Sequence, residues 1–250
     1  MERNHKKIWI TGASSGIGKA VAEKFAKQGW KVAVSARRKE LLDELAKNPN
    51  ITSFPLDVTD RTQITSVFKN ILNEFSDLDI CLFSSGTYEP KDEQKIDPDK
   101  IKNVIDVNFL GVVDCVKAVE DFFKNKKSGH ISIVSSIASY RGLPNSSGYG
   151  PSKAALTNFS ESIYFDFKKF GVRVSIVSPG FIKTPLTDKN EFSMPFLKTP
   201  EYAAEKIFNG LIKGNAFEIH FPKGLTLTLK FLRILPYRLY LFLVGKLVKR

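Results

Sequence analysis

The sequence predicts an α/β fold: a single domain, built as a three-layer sandwich in which helices cover both faces of a parallel sheet. Short runs rich in Val, Ile and Phe alternate with longer helical patterns, the order typical of parallel sheets. Runs such as residues 131–134 are apolar throughout, as expected for strands with both faces buried. A glycine-rich turn joins the first strand to the first helix. A chain of 250 residues is compatible with one domain in this class.

The elements follow from these patterns in chain order. The predicted strands cover residues 7–11, 31–36, 51–55, 79–84, 130–135, 172–178 and 217–221. The predicted helices cover residues 16–28, 40–46, 61–74, 98–123, 150–170 and 201–212. No repeat or linker interrupts this order, so we expect residues 1–222 to form the domain and residues 223–250 to form a separate basic tail.

Composition and individual residue types exclude several classes of protein. With 42% hydrophobic and 26% charged residues the chain is typical of globular domains. It begins without the apolar region of a signal peptide, which predicts a cytoplasmic location. Cys81 and Cys115 lack metal or redox spacing and are expected to be reduced and buried. His5, His130 and His220 match no metal pattern, so we expect no metal.

The positive charge is concentrated at the end of the chain. The net charge is +12. Seven Lys or Arg residues, and no Asp or Glu, lie between residues 219 and 250, so this segment carries more than half of the net charge. This distribution favours an anionic partner for the tail and argues against a domain that binds nucleic acid.

The turn after the first strand has the sequence TGASSGIG at residues 11–18. Glycines allow the backbone to turn tightly and to approach a pyrophosphate, and the N-terminus of the following helix offers free N–H groups. A glycine turn between a strand and a helix is the context that supports dinucleotide binding. The candidate contacts are Gly12, Ser14, Ser15, Gly16, Ile17 and Gly18.

The end of the second strand indicates which nucleotide is bound. In dinucleotide folds an acid at this place suits a free ribose 2′-hydroxyl, whereas arginine suits a 2′-phosphate. The sequence has Arg37 and Arg38 here, and its first acid, Glu40, belongs to the next helix. We therefore expect NADP(H) rather than NAD(H), the alternative being that both arginines are simply solvated at a helix start.

Tyr149 and Lys153 begin a helical pattern and lie four residues apart. Positions i and i+4 share one helix face, so the phenol and the ammonium are expected to point into one site. A nearby cation lowers the pKa of a tyrosine and allows it to exchange a proton with an alcohol oxygen. This pair therefore suits an enzyme that transfers hydride.

Together these motifs resemble the short-chain dehydrogenase/reductase family in its form of about 250 residues. The matching features are the turn at residues 11–18, Asn108, Ser136, Tyr149 with Lys153, and Pro179 with Gly180, and the resemblance covers residues 6–222. It implies a seven-stranded Rossmann-type sheet in the order 3-2-1-4-5-6-7, and common dimerisation through the helices at 98–123 and 150–170.

The resemblance also implies roles for the catalytic residues. Tyr149 is similar to the acid/base of the family, and Lys153 to the residue that binds the nicotinamide ribose and lowers the tyrosine pKa. Ser136, rather than Ser135, is similar to the serine that hydrogen-bonds the substrate oxygen. Asn108 resembles the asparagine that supports a water-mediated proton relay.

Further contacts to the cofactor are implied in the same way. Asp57 and Val58 resemble the pair that contacts adenine, and Gly86 follows the fourth strand as in the family. The segment that holds the nicotinamide half is implied to include Pro179, Gly180, Ile182 and Thr184.

The sequence departs from the family pattern before Gly86. The family usually has Asn-Asn-Ala-Gly there, but Ser84 replaces the asparagine, and we expect a locally softer loop because serine offers fewer hydrogen bonds. The substrate loop is expected at residues 185–200. Four aromatic residues are either pocket-lining residues or loop anchors: Tyr88, Phe181, Phe192 and Phe196.

The tail is predicted to form two short segments separated by Pro236. On a helical wheel its last segment has a basic stripe beside a broad apolar face, which suits an anionic membrane surface. The basic residues Arg238, Lys246, Lys249 and Arg250 fall within about 120° of one another, and the apolar residues of the segment include Leu239, Phe242, Leu243 and Leu247. The alternatives are that the tail closes the substrate pocket or packs across a dimer.

The sequence thus predicts an NADP(H)-dependent oxidoreductase acting on a carbonyl/alcohol pair, with an apolar, lipid-derived substrate as a hypothesis. It is expected to be cytoplasmic, to form a homodimer or homotetramer, and to reach the inner face of a membrane through its tail. One alternative is a membrane-associated NADP(H)-binding protein with a regulatory or scaffolding role and little turnover. Another is an isomerase or dehydratase that does not consume its nucleotide.

Overall fold

A computed structural model of the chain describes residues 6–89, 96–190 and 192–248. Its parallel strands form one sheet in the order β3-β2-β1-β4-β5-β6-β7, which confirms the predicted fold class and strand order. Each strand begins and ends within two residues of its prediction. The strands are β1 (Lys7–Thr11), β2 (Lys31–Ser35), β3 (Ile51–Ser53), β4 (Ile80–Phe83), β5 (His130–Val134), β6 (Arg173–Pro179) and β7 (Glu218–Phe221).

Helices cover the sheet on both sides, with one layer made by α1, α2 and α7 and the other by α3, α5 and α6. The helices before the tail are α1 (Gly16–Lys27), α2 (Lys39–Leu45), α3 (Arg61–Phe75), α4 (Pro98–Ile105), α5 (Gly111–Lys126), α6 (Tyr149–Lys168) and α7 (Pro200–Ile212). Several start at side-chain caps, as at Asp60, whose carboxylate accepts hydrogen bonds from the backbone N–H groups of Thr62 and Gln63.

The first strand shows why its sequence is apolar on both faces. Ile8 and Ile10 lie in the core under α1 and α7, whereas Trp9 points into the core under α3 and α5. All three side chains are fully buried. The indole of Trp9 donates a hydrogen bond to Ser35 Oγ at 2.9 Å, so this buried polar group has a partner.

The single helix predicted over residues 98–123 is wrong in one respect. A π-helical turn, Asp106–Leu110, separates α4 from α5, and α5 continues to Lys126. A π-turn inserts one residue into the helical repeat, and such turns often occur at functional sites. Because the turn is only five residues long, the hydrophobic periodicity of the segment does not reveal it.

The tail forms α8 (Lys223–Arg233) and α9 (Tyr237–Val248), and Pro236 lies between them as predicted. The inner side of α8 packs on the end of the sheet, where Thr226 Oγ1 lies 2.7 Å from His220 Nδ1. Among the described residues, no helix has the length and apolar character needed to cross a membrane. His5, Lys249, Arg250 and the side chain of Leu247 lie outside the described part of the chain.

The register of the sheet brings the ends of its central strands together at one edge. Thr11 pairs with Phe83 and Phe83 pairs with Ile133, while Val134 pairs with Val177. The loops that follow these strands therefore start side by side. Ligands of open α/β sheets bind outside this carboxyl edge, where the strand order reverses.

Candidate active site

A cleft of about 290 Å³ opens at the carboxyl edge of the sheet. Every residue predicted from the sequence as a site residue lines it except Asn108. The predicted residues in its walls are Gly12, Ser14, Ser15, Gly16, Ile17, Gly18, Arg37, Arg38, Asp57, Val58, Gly86, Ser136, Tyr149, Lys153, Pro179, Gly180, Ile182 and Thr184.

The glycine turn requires glycine at two close approaches. Gly12 has a φ of +70°, and a Cβ placed on it would lie 2.6 Å from the carbonyl oxygen of Ser84. A Cβ on Gly18 would lie 2.4 Å from the carbonyl oxygen of Gly12. The turn therefore folds back tightly against α1 and the loop after β4, which leaves its backbone open towards the cleft.

Arg38 lies over this glycine turn. Its Nη2 donates hydrogen bonds to Ser14 Oγ at 2.8 Å and to Ser15 Oγ at 2.9 Å. Arg38 also precedes α2 directly, and Arg37 beside it is exposed at the wall of the cleft. Two serine hydroxyls thus hold a guanidinium where the end of β2 meets the turn.

The loop after β4 is held by Thr11. Its Oγ1 accepts hydrogen bonds from the backbone N–H groups of Ser84 at 3.2 Å and of Ser85 at 3.3 Å. These bonds come from the backbone, so they do not depend on an asparagine side chain at position 84. On the neighbouring wall, Asp57 Oδ1 accepts hydrogen bonds from the N–H and the hydroxyl of Thr59.

Tyr149 and Lys153 share one face at the start of α6, as predicted. Lys153 is 4% exposed, and its Nζ donates to the carbonyl oxygen of Val134 at 2.9 Å. The same Nζ lies 5.6 Å from the centre of the Tyr149 ring. The Tyr88 ring packs edge-on against that of Tyr149, with 5.5 Å between the two centres.

Contrary to the prediction, the pKa of Tyr149 is not lowered in this structure, because burial has the larger effect. Burial raises the pKa of Tyr149 to about 12, and a hydrogen bond with Ser136 offsets only part of that effect. Burial also lowers the pKa of Lys153 to about 8. Both shifts have the same cause, because a site removed from water disfavours the charged form of each group. The phenol is therefore protonated at neutral pH.

Ser136 follows β5 and starts a short 3₁₀ helix, Ile137–Ser139. Its Oγ accepts a hydrogen bond from the backbone N–H of Ala138 at 3.1 Å, which fixes the side chain beside Tyr149. Ser135 has a different set of partners: its hydroxyl donates to the carbonyl oxygen of Lys153 at 2.9 Å. The two adjacent serines thus face different surroundings, and Ser136 is the one bonded to Tyr149.

Asn108 is fully buried within the π-turn, behind Gly86. Its Oδ1 accepts from the N–H of Thr87 at 2.7 Å, and its Nδ2 donates to the carbonyl oxygen of Thr87 at 3.0 Å. A Cβ on Gly86 would lie 3.5 Å from Asn108 Oδ1 and 3.6 Å from Lys153 Nζ. Asn108 and Lys153 therefore meet at the same glycine.

Ser152 is a site residue that the sequence analysis missed. It is fully buried and accepts a hydrogen bond from Asn108 Nδ2 at 3.0 Å. Its own hydroxyl donates to the carbonyl oxygen of Tyr149 at 2.7 Å. Ser152 thus joins Asn108 to the first turn of α6. Its i+3 position relative to Tyr149 is the sequence signal that could have found it.

The segment after β6 closes the cleft opposite the glycine turn. Thr187 Oγ1 donates to the carbonyl oxygen of Ile182 at 2.6 Å, and a Cβ on Gly16 would lie 2.9 Å from Thr184 Cγ2. Pro185, Leu186 and Thr187, from the predicted substrate loop, also line the cleft.

The four aromatic residues are not part of the cleft wall as the described residues define it. Tyr88 contacts Tyr149 from beside the cleft, and Phe192 packs against Phe181 with 5.9 Å between ring centres. Phe181 packs on the small apolar cluster of Ile137, Tyr140 and Leu225. For Phe181, the alternative of a loop anchor fits its contacts better than that of a pocket residue.

A doubly wound α/β fold with a glycine turn at its switch point defines the class of nucleotide-binding proteins of the Rossmann type. The family model described as "short chain dehydrogenase" matches residues 6–194. The chain therefore belongs to the short-chain dehydrogenase family, and it is an oxidoreductase of that family.

Individual relatives agree with this assignment. The chain is 33% identical over 244 residues to an uncharacterized oxidoreductase of Myxococcus xanthus, covering 96% of each. It is 27% identical to a solved structure described as ElxO with NADP bound, at a TM-score of 0.78, covering 86% of this chain and 97% of that one. A short-chain dehydrogenase/reductase from Burkholderia phymatum in complex with NAD has the same fold, at 21% identity, a TM-score of 0.82 and coverage of 92% and 93%.

Proposed function

We propose that the protein is an NADP(H)-dependent oxidoreductase that transfers hydride between a nicotinamide and a carbonyl/alcohol pair. The observation that carries this proposal is the placement of Tyr149 and Lys153 on one face of α6, in the same cleft as the glycine turn. The groups fit a dinucleotide: the turn leaves backbone open to a pyrophosphate, and Arg38 stands above it. A bound nicotinamide supplies or accepts the hydride.

In the direction of reduction, Tyr149 gives its proton to the substrate oxygen. The pKa of about 12 supports this role, since the phenol holds its proton at neutral pH until a stronger base forms beside it. Ser136, which is bonded to Tyr149, orients the same oxygen by a hydrogen bond. Both groups act on one atom of the substrate.

Lys153 and Asn108 assist Tyr149 in the proton transfer. The buried ammonium of Lys153 holds the nicotinamide ribose and stabilises the phenolate that remains after proton transfer. Asn108, fixed by Thr87 and Ser152, keeps the π-turn in place and positions a water that returns the proton. Since Lys153 and Asn108 meet at Gly86, a proton path can run between them.

The remaining contacts divide between the two ends of the cofactor. Asp57 and Val58 would hold the adenine, and Gly86 would add a further contact to the cofactor. The nicotinamide half is held by Pro179, Gly180, Ile182 and Thr184. All of these line the same cleft.

The preference for NADP(H) rests on the end of β2. Arg38 is already oriented by Ser14 and Ser15, so its guanidinium pairs with a 2′-phosphate without a large loss of side-chain freedom. Arg37 adds a second exposed cation beside it. The ElxO structure is described with NADP bound and the Burkholderia structure with NAD, so the fold alone does not decide the nucleotide, and we assign the preference to these two arginines.

The substrate is a lipophilic ketone or aldehyde, or the matching alcohol. Leu186 and Ile182 lie in the cleft wall, and Leu225 packs against Gly180 from behind that wall. The protein acts as a cytoplasmic homodimer or homotetramer through α5 and α6. Residues 1–222 form the catalytic domain, and residues 223–250 form a basic tail.

The test follows NADPH consumption at pH 7 with a panel of water-soluble and apolar carbonyl compounds, with NADH in parallel. Wild-type protein is expected to consume NADPH, and Tyr149→Phe to lose turnover by a factor of about 100 or more while binding NADPH equally well. Equal turnover by the two proteins would reject Tyr149 as the acid. Product formed without nucleotide oxidation would instead indicate an isomerase or dehydratase.

A further inference from the structure

We infer that the outward face of α8 and α9 docks on an anionic lipid bilayer and that an apolar substrate reaches the cleft from this side. This inference rests on the proposed reductase function for the identity of the substrate, but the docking surface stands on its own contacts. We call this surface the tail face, and its apolar members are Leu227, Phe231, Ile234, Leu239, Leu241 and Phe242.

The tail face is apolar and faces water in the isolated chain. Leu227, Phe231 and Ile234 are 56%, 61% and 75% exposed, and they follow one another at i, i+4 and i+7. At 100° per residue they lie within about 60° of each other on one side of α8. Leu225 and Thr226, on the opposite side, are buried against the domain. One side of α8 thus packs on the domain, and the other exposes an apolar stripe.

The next helix also exposes apolar side chains. In the sequence YRLYLFLVGKLV of α9, Tyr240 is buried, while Leu239, Leu241 and Phe242 are all more than two-fifths exposed. Tyr240 holds the helix by donating from its hydroxyl to the carbonyl oxygen of Gly142 at 2.7 Å. Several large apolar side chains exposed together on a surface helix favour another apolar environment.

The charges around the tail face have one sign. Lys223, Arg233, Arg238 and Lys246 are exposed, and no Asp or Glu occurs from residue 219 to the end of the chain. Lys230 is different, because it pairs with Glu218 on the domain. On α9 these cations lie among the exposed apolar side chains, and Lys246 Nζ is 4.5 Å from the centre of the Phe242 ring. Long basic side chains can leave apolar neighbours in the acyl region while their charges reach anionic headgroups, so this mixed surface suits an anionic bilayer.

The same charges disfavour a second copy of the chain as the occupant. A symmetric dimer would place the tail face against the same face of a second copy, so Arg238 and Lys246 would meet tail residues among which there is no acid. A bilayer that contains anionic lipid offers acyl chains to the apolar side chains and negative headgroups to the cationic ones. The partner of the tail face that fits this charge pattern is therefore a lipid bilayer.

The tail face lies next to the mouth of the cleft. A Cβ on Gly180, in the cleft wall, would lie 2.9 Å from Leu225 Cδ2 on the inner side of α8. A Cβ on Gly224, at the start of α8, would lie 3.6 Å from the ring of Phe196, which is 58% exposed on the loop before α7. One helix thus separates the cleft wall from the outward apolar surface, which places a bilayer bound to the tail face close to the site.

The first experiment measures binding of the full chain to vesicles by co-sedimentation. The vesicles contain phosphatidylcholine alone or with about 30 mol% phosphatidylserine, the usual type of anionic surface. The test variant is Phe231→Glu with Phe242→Glu, and the matched control is Leu41→Glu, which adds charge at an exposed leucine of α2. We expect wild type and control to bind the anionic vesicles, and the double variant to bind them about tenfold or more weakly.

The second experiment separates docking from catalysis. Turnover of a water-soluble carbonyl compound should be unchanged in the double variant, whereas turnover of an apolar ketone carried in the anionic vesicles should fall with binding. If wild type reduces neither compound but still binds vesicles, the proposed function fails and the docking surface stands.

Three results would overturn the inference: no binding of wild type to anionic vesicles, equal binding to neutral ones, or unchanged binding of the double variant. A double variant that differs from wild type in oligomeric mass, with vesicle binding unchanged, would show instead that the tail face joins copies of the chain.

Discussion

The guanidinium carbon of Arg141 lies 4.0 Å from the centre of the Tyr240 ring, between that ring and Tyr237. Its Nη1 also donates to three carbonyl oxygens at the end of α8, those of Leu232, Arg233 and Leu235. The last carbonyls of a helix have no partner within the helix, so one side chain satisfies the end of α8 and stacks on α9. Because Arg141 lies in the loop between Ser136 and Tyr149, it ties the tail to the candidate active site.

Arg141→Ala is expected to destabilise α8 and α9 while leaving the stability of the domain core unchanged. The loss of charge-assisted hydrogen bonds and of ring stacking should destabilise the docked helices by about 1–3 kcal/mol. Hydrogen exchange of amides in α8 and α9 should accelerate about tenfold or more, while exchange in β1 and β4 stays unchanged.

Arg61→Ala is the matched control for Arg141. It also removes an arginine, but one that forms an exposed ion pair with Asp114. Such pairs contribute little, so exchange in the tail should remain as in wild type. Equal exchange in the Arg141 and Arg61 variants would show that Arg141 does not hold the tail.

Arg38→Ala should change nucleotide preference. A charge-assisted pair with a 2′-phosphate is worth about 1.5–3 kcal/mol, so the KM for NADPH should rise about tenfold to a hundredfold. The KM for NADH should change little, because that nucleotide lacks the phosphate.

Arg37→Ala, tested beside it, compares the two neighbouring cations and should have the smaller effect, since Arg38 is the one oriented by Ser14 and Ser15. An equal rise in KM for both nucleotides would place the Arg38 guanidinium on a group that they share.

Affinity for NADPH should fall in alkaline solution through Lys153. Burial lowers the pKa of this lysine to about 8, so its ammonium is present at pH 7 and is lost as pH rises through that value. If the charged form holds the ribose, the Kd should increase above pH 8 with a slope approaching about tenfold per pH unit. Fluorescence titration between pH 6.5 and 9.5 measures this slope. Lys153→Met should bind weakly with no such slope; parallel curves for the two proteins would remove Lys153 from this role.

His130 should make the protein less stable in mild acid. Burial, and then Arg173, lower the pKa of His130 to about 3, from an ordinary value of 6.5. Between these values the unfolded chain binds a proton that the folded one does not, so stability falls as pH decreases, by about 1.4 kcal/mol per unit. Urea unfolding at pH 7, 6 and 5 measures the decrease. His130→Gln should show a flatter dependence, because it cannot titrate at this site; an equal slope would contradict the assignment.

His220→Gln serves as the control for that measurement. Its pKa is also lowered, by burial and then by Lys230 and Lys223, but the ring is only half-buried. Replacing it should therefore flatten the pH dependence less than replacing His130. The difference between the two variants isolates the buried group.

The sheet could be predicted because its signals are local. In β1, three consecutive apolar residues pack into the two cores on opposite sides of the sheet. A run of five residues was therefore enough to predict a strand that is buried on both faces. The π-turn at Asp106–Leu110 could not be predicted, since its register shift depends on where Asn108 finds its partners, Thr87 and Ser152. Those partners are distant in the chain.

The site shows the same division. Tyr149 and Lys153 are four residues apart, and helix geometry alone places them together. The sequence wrongly predicted a lowered pKa for Tyr149, whereas burial raises it. A cation at i+4 can be seen in the sequence, but the burial of the phenol in the folded chain cannot. The groups around the Lys153 ammonium, the carbonyl of Val134 and Gly86, come from β5 and from the loop after β4.

The sequence by itself determined the family, the order of the elements, the residues of the cleft wall and the break of the tail at Pro236, since each depends on neighbours within one or two turns of the chain. Only the tertiary structure decided that Arg141 holds the tail, that Ser152 joins Asn108 to α6, and that burial outweighs Lys153 at Tyr149. These features depend on which groups meet across long separations and on how far they are removed from water, and no local pattern of residues encodes either one.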